Sequence, residues 1–148
     1  MSINEANIQE YLSNSKTLVL ATINSNSEPI LRTIGGFGIK DNVIYFATAK
    51  GSEKTKQLEK NPQVSLLFQH ENQDLATFTN VAVNGTVKNH ESLEDFNKAL
   101  SIILARRPQS KASYETHYIY SVKPSLVKIL DFSKEKPEEK VTVKVSLS

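Results

Sequence analysis

The sequence predicts a mainly-β fold (α+β by class), an antiparallel barrel with a few flanking helices, and three observations predict it. Short runs of aliphatic and β-branched residues recur along the chain, among them TLVLATI at 17–23 and VIYFA at 43–47. Polar turns of hairpin length separate several of them. At 148 residues the chain matches one ordinary domain with one substantial core, here read as residues 1–148. A barrel of eight or fewer short strands is filled by its own side chains, so a ligand is expected outside it or between subunits.

Ile3, Ile8 and Leu12 space a short amphipathic helix that ends near Ser13-Asn14-Ser15. Thr17 to Ile23 reads as a buried strand, and the polar turn Asn24-Ser25-Asn26-Ser27 joins it to a second strand, Pro29 to Phe37. Within that strand Gly35-Gly36 marks a bulge or a close backbone approach. Lys40-Asp41-Asn42 is a turn into a third strand, Val43 to Ala47. Ser52 to Lys60 is a short helix stopped by Asn61-Pro62, because proline cannot continue a helix and restricts the residue before it.

Val64 to Gln69 and Ala76 to Lys88 are strands joined by a polar loop. Ser92-Leu93-Glu94-Asp95 is a capping-box variant that opens a helix with Phe96, Leu100, Ile103 and Leu104 on one side. Arg106-Arg107-Pro108 ends it, with the arginines set favourably against the helix dipole. Tyr118 to Val122 and Ser125 to Phe132 form a last hairpin around Lys123-Pro124. Residues 133–148 make a charged linker, Ser133 to Lys140, and an alternating C-terminal strand, Val141 to Val145.

Composition narrows the function. Eighteen Lys and Arg against sixteen Asp and Glu give a net charge of +2, too balanced for a nucleic-acid partner. No cysteine is present, which removes disulfides and thiol chemistry, and His70, His90 and His117 are too dispersed for a local metal motif. With no signal peptide and no apolar run of about 20 residues, no membrane is involved and the cytoplasm is the expected compartment.

The chemistry concentrates between Arg32 and Pro62. A helix N-terminus attracts anions, yet this helix places Lys54 and Lys56 just after its Ser52 cap, where each works against the dipole by about 0.3–1 kcal/mol. Thr48, Ser52 and Lys54 therefore read together as an anion cradle, with phosphate as the obvious occupant. The glycine pattern of a P-loop is absent. Arg32 is either an outward-facing strand arginine or a planar fork for a phosphate or a flavin-like ring edge. No serine sits in a nucleophile-elbow context, so any reactive group is expected to come from a cofactor.

The segments TLVLATINSNSEPILRTIGGFGIKDNVIYFATAKGSEKTKQLEKNPQVSLLFQ and VAVNGTVKNHESLEDF resemble the FMN-binding split-barrel proteins of the pyridoxamine 5′-phosphate oxidase-like superfamily, over roughly residues 8 to 132. The ordered set carries the resemblance: an arginine sixteen residues before a threonine, the G-S-x-K turn, the N-P-x-V-S-L-L-F strand and the V-x-V-x-G-x-V strand. It implies a homodimer of six-stranded split barrels with FMN at the subunit interface. Carried over by position, Arg32 would meet the flavin or its phosphate, backbone groups of Thr33 and Ile34 would line the ring, and Thr48, Ser52 and Lys54 would hold the phosphate. Asn80 stands where the family often has a glutamine reaching the flavin of the other subunit. Arg107, before Pro108, is similar to a substrate-phosphate arginine of those oxidases.

Two residues depart from that pattern: Glu53 stands for an arginine and Phe37 for a lysine. The family's C-terminal tryptophan and arginine are missing as well. These departures point away from oxidation of pyridoxamine phosphate itself. The expected function is flavin-mediated electron or hydride transfer with an undefined small molecule. A flavin carrier or stress-related protein without turnover, and a barrel binding haem or a deazaflavin, are the alternatives.

Overall fold

The computed structural model describes residues 3–145, so the last three residues of the expected C-terminal segment lie outside the described residues. Helix α1 (Ile8–Ser13) buries Ile8, Tyr11 and Leu12. Strands β1 (Leu18–Ile23), β2 (Pro29–Ile34), β3 (Phe37–Lys40) and β4 (Val43–Ala49) lead to α2 (Glu53–Lys60). Strand β5 (Gln63–Phe68), a 3-10 turn at Leu75–Thr77 and β6 (Thr79–Asn89) precede α3 (Leu93–Arg106). Strands β7 (His117–Asp131) and β8 (Glu138–Val141) complete the sheet.

All pairings are antiparallel, in the order β2-β1-β5-β6-β7-β4-β3, with β8 added alongside β7. Strands β2 and β3 are the two ends of that path, yet only Gly35 and Gly36 separate them in the chain. Three Cα steps span at most about 11 Å, whereas six strand spacings laid flat measure about 29 Å. The sheet must curl until its ends meet, and the result is a mainly-β, antiparallel split half-barrel with three helices. Leu18, Leu20, Phe37, Ile44, Phe46, Leu66, Phe68, Val81, Val83, Val122 and Ile129 fill its interior.

The run expected as one strand from Pro29 to Phe37 is therefore two strands. Gly35-Gly36 is the corner at which the chain leaves β1 and begins to pair with β4. The close approach lies two residues further on. A Cβ at Gly38 would sit 2.4 Å from the carbonyl oxygen of Ile102 and 2.9 Å from Cα of Ile103, because α3 rests its backbone directly on β3. Helix α3 covers the outer face of β4 and β7 with Phe96, Ala99 and Ile103 against Ile119, Tyr45 and Ala47.

The expected hairpin at Lys123-Pro124 is one continuous strand. β6 runs for 11 residues and pairs along most of β7, whose only break is a register shift opposite Asn84 and Gly85. Proline is tolerated at such an irregularity, and Gly85 leaves room for the carbonyl of Lys123, 2.5 Å from where a Cβ would be. The last strand is also displaced: Glu138–Val141 pairs with Val127–Leu130, drawing in part of the expected linker. Lys128 meets Glu138 at 3.3 Å there. At the β3–β4 turn Asp41 and Asn42 both adopt positive φ, 51° and 65°, the geometry a tight hairpin requires.

Arg106, at the end of α3, closes the seam. Its guanidinium donates to the carbonyls of Ser13 (3.0 Å), Lys16, Gly35 and Phe37 (3.3 Å each) and Ser15, and lies 3.6 Å from the centre of the Phe37 ring. Burial first, and the neighbouring Arg107 second, lower its pKa. Lysine offers three donors on one point charge instead of a planar fork. Arg106→Lys is expected to cost about 2–3 kcal/mol in urea unfolding, as carbonyls lose their partners. Gly38→Ala is expected to cost about 3 kcal/mol by overpacking, whereas Gly36→Ala, with nothing within 4 Å of its would-be Cβ, should leave the midpoint nearly unchanged.

Candidate functional site

The turn from β4 into α2 is built by local hydrogen bonds. Gly51, at φ +78°, reverses the chain, and Ser52 adopts the extended conformation of an N-cap. The Ser52 hydroxyl accepts from the Thr55 amide at 3.4 Å, and the Thr55 hydroxyl donates to the Ser52 carbonyl at 2.6 Å. Thr48, on the core-facing side of β4, shares a 3.2 Å hydrogen bond between its Oγ1 and the Ser52 Oγ. Thr48 and Ser52 therefore stand together, and Lys54 follows on the first turn of the helix.

Arg32 reaches the same helix from the other end of the sheet. It pairs with Leu20 across β1 and so shares the core-side face, which rules out the outward-facing alternative. Its Nη1 donates to Thr22 Oγ1 at 2.5 Å and its Nη2 to Gln57 Oε1 at 3.1 Å, while the Thr22 hydroxyl donates to the same Gln57 oxygen at 2.5 Å. Thr22 is fully buried and Gln57 is 6% exposed. An arginine N–H can only donate, so the amide oxygen of Gln57, and not its NH2, must face this ring.

The electrostatics bring out two cations, Arg32 and Lys54. Burial lowers the pKa of Arg32, offset in part by the charge of Glu53. Burial also lowers the pKa of Lys54, and the positive charge of Arg32 lowers it further. Among the described residues neither cation makes an ion pair. Such a pair suits an anion with two negative charges.

The other expected site residues lie elsewhere. Thr33 is exposed on the outer face of β2, while the Ile34 side chain belongs to the core. Asn80, opposite Leu130, projects from the outer face of β6, two strands beyond β1 and on the other side of the sheet from Arg32. Arg107 lies at the β2–β3 corner, its Nη2 3.4 Å from where a Cβ of Gly35 would be. Phe37, standing for a lysine, is wholly buried beneath Arg106.

Each histidine has a local partner. His70 stacks on Tyr11 at 3.7 Å, His90 Nε2 bonds Ser121 Oγ at 2.8 Å, and His117 Nδ1 bonds Thr116 Oγ1 at 2.7 Å. Among the described residues no group of three or more His, Cys, Asp or Glu is placed to hold a metal, and no helix is long and apolar enough to cross a membrane. Sequence reasoning missed Thr22 and Gln57. The signal for Thr22 was its parity: in LVLAT it alternates with Leu18 and Leu20, where an apolar residue would be the default.

The family model described as pyridoxamine 5′-phosphate oxidase matches residues 5–127. No curated protein matches the sequence. Among solved structures, a conserved hypothetical protein from Mycobacterium tuberculosis superposes with a TM-score of 0.77 at 20% identity, covering 89% of this chain and 87% of its own. A candidate 5-nitroimidazole antibiotic resistance protein from Bacteroides thetaiotaomicron gives 0.74 at 14%, with coverage of 86% and 84%. A heme-binding protein from Mycobacterium smegmatis gives 0.73 at 15%, covering 96% of this chain and 59% of its own. At these identities the likeness is one of fold.

Because the folded environment lowers the Lys54 pKa, the ionised side chain opposes folding at neutral pH and ceases to do so above the ordinary lysine value of 10.5. Lys54→Met is therefore expected to raise the urea midpoint of the free protein at pH 7. That advantage should shrink as the pH is raised through the lysine range, with midpoints at pH 7 and pH 10 as the check.

Proposed function

The chain belongs to the pyridoxamine 5′-phosphate oxidase family, and we propose that it is an FMN-binding oxidoreductase acting as a homodimer on an undefined small molecule. The observation that carries this reading is the pair Arg32 and Lys54: two partly buried cations close enough to repel each other, with Lys54 on the helix that the Thr48–Ser52 hydroxyl pair opens, and neither in an ion pair among the described residues. The donor set fits a phosphate monoester. Lys54 and Arg32 would carry its charge, and Thr48 and Ser52 would offer hydroxyl groups. A bound flavin would supply hydride or single-electron transfer, chemistry that none of these side chains provides alone.

Backbone groups of Thr33 and Ile34, on a strand with one unpaired edge, would line the ring. The outer sheet face supports a second copy as the partner. It carries Leu31, 68% exposed, in a row with Ala21 on β1, and Leu67 and Ala82 pair on the next strands. Asn80 lies on this face and would reach a flavin held by the second copy, a contact its own cradle does not allow. Arg107, at the rim of the β2–β3 corner, would meet an anionic substrate.

Haem is the second reading, favoured by the Mycobacterium smegmatis neighbour. Against it stands the engagement of His70, His90 and His117 in local contacts. The absorption spectrum after incubation with each ligand separates the two, since a flavin band and a Soret band do not overlap in shape. One FMN per chain is expected, and Lys54→Met should weaken FMN about tenfold or more, the loss of one charge-assisted hydrogen bond. A wild-type protein that takes up no FMN overturns the reading. Bleaching of the bound flavin by reduced nicotinamide separates a reductase from a carrier without turnover.

A further inference from the structure

Buried arginines ordinarily find a carboxylate, because an unpaired charge away from water is costly. Arg32, half-buried, has instead a neutral amide, a neutral hydroxyl and the Ile30 carbonyl. Gln57, on the inner side of α2, and Thr22, on β1, close a three-membered hydrogen-bonded ring with its guanidinium, at 2.5, 2.5 and 3.1 Å. Both partners are at least nine-tenths buried, so their side chains have little freedom to swing away. The ring occupies one N–H of Nη1 and one of Nη2, and Nη1 also donates to the Ile30 carbonyl at 3.4 Å, which fixes the plane of the fork.

We propose that Gln57, acting with Thr22, is the positioning residue of a phosphomonoester site: it orients Arg32 without neutralising it. This rests on the FMN reading for the identity of the natural ligand, and it assigns a role to two residues outside the cradle. The choice of amide over acid is the central point. A carboxylate at position 57 would hold Arg32 as well or better, but it would cancel the charge that an incoming dianion must find. The carboxylate that Arg32 does feel, Glu53, sits one turn earlier on the exposed side of the same helix. It is a solvated competitor, unlike a buried counter-ion.

The same geometry gives specificity. Arg32 and Lys54 reward the phosphate of a phosphorylated ligand, so an analogue that lacks phosphate loses their contribution. The positioning ring affects that contribution alone. A purely structural role for Gln57 would instead change every ligand equally, through stability.

The test uses the full-length chain and three probes: inorganic phosphate, FMN and riboflavin. Gln57→Glu should fold as well as wild type by urea midpoint, and it should bind inorganic phosphate and FMN about tenfold or more weakly. Its riboflavin affinity should stay within about twofold, below the size of one lost hydrogen bond. Thr22→Val, which removes the hydroxyl and keeps the shape, should weaken phosphate several-fold, again leaving riboflavin unchanged. Glu53→Gln should tighten phosphate. Equal phosphate affinity in wild type and Gln57→Glu overturns the inference, as does a wild type that binds no phosphate. So does a Gln57→Glu loss that is the same for riboflavin as for FMN. A wild type that binds phosphate but not FMN, with the Gln57→Glu loss intact, keeps the positioning role and discards the flavin reading.

Discussion

The whole molecule depends on bringing the two ends of one sheet together at Gly35-Gly36. Twisted strands favour curling, but twist alone does not decide where a curled sheet stops. Here the chain itself does, because β2 and β3 are sequence neighbours and opposite ends of the hydrogen-bonded order. The seam between them cannot be closed by strand pairing, so carbonyls at its edge require other donors. Arg106 supplies them, gathering carbonyls from the segment before β1, from the corner and from β3 with one rigid fork. Its plane also covers Phe37, so the same side chain seals the polar and the apolar sides of the seam.

The candidate site follows from that closure. Thr22 and Arg32 come from β1 and β2, at one end of the sheet order. Thr48, Ser52, Lys54 and Gln57 come from β4 and the helix that follows it, at the other end. In a flat sheet β4 would lie four strand spacings from β1 and five from β2, about 19 and 24 Å at 4.8 Å per step. Curling sets α2 against β1, and the Thr22–Gln57–Arg32 ring stitches the two ends a second time. A binding site placed on such a junction inherits rigidity from two directions, which is what a fixed charge requires.

Local chemistry was readable from the sequence wherever one residue type has one job. Ser52 as an N-cap, Asn61-Pro62 as a stop and Asp41-Asn42 as a hairpin turn all rest on backbone preferences acting within four residues. The grouping of Thr48 with Ser52 was also legible, since both flank one turn. What the sequence could not show was long-range. The corner at Gly35-Gly36 reads as an irregularity inside a strand until the pairing partners on either side are known. The 15-residue β7 reads as a hairpin because proline usually interrupts a strand, and only the length of β6 overrides it. Gln57 lies amid Lys54, Lys56, Glu59 and Lys60, where a polar residue invites no comment. Its role exists only once Thr22 and Arg32 arrive from 35 and 25 residues away.

The electrostatic pattern has a further consequence for how stability is distributed. Arg106 and Arg32 are both arginines lowered in pKa chiefly by burial, but their surroundings answer them differently. Five carbonyl oxygens surround Arg106, so its charge is spread over fixed dipoles and the seam is stabilised in the free protein. Arg32 receives three neutral partners, the hydroxyl of Thr22, the amide of Gln57 and the carbonyl of Ile30, and an exposed carboxylate, so its charge is oriented but only partly compensated. One arginine therefore belongs to the fold, and in the proposed reading the other keeps its charge for a ligand. A carboxylate in the position of Gln57 would hold the fork equally well but would cancel its charge. The neutral amide is what a site for a doubly charged ligand calls for, and binding that ligand would return the stability withheld from the free protein.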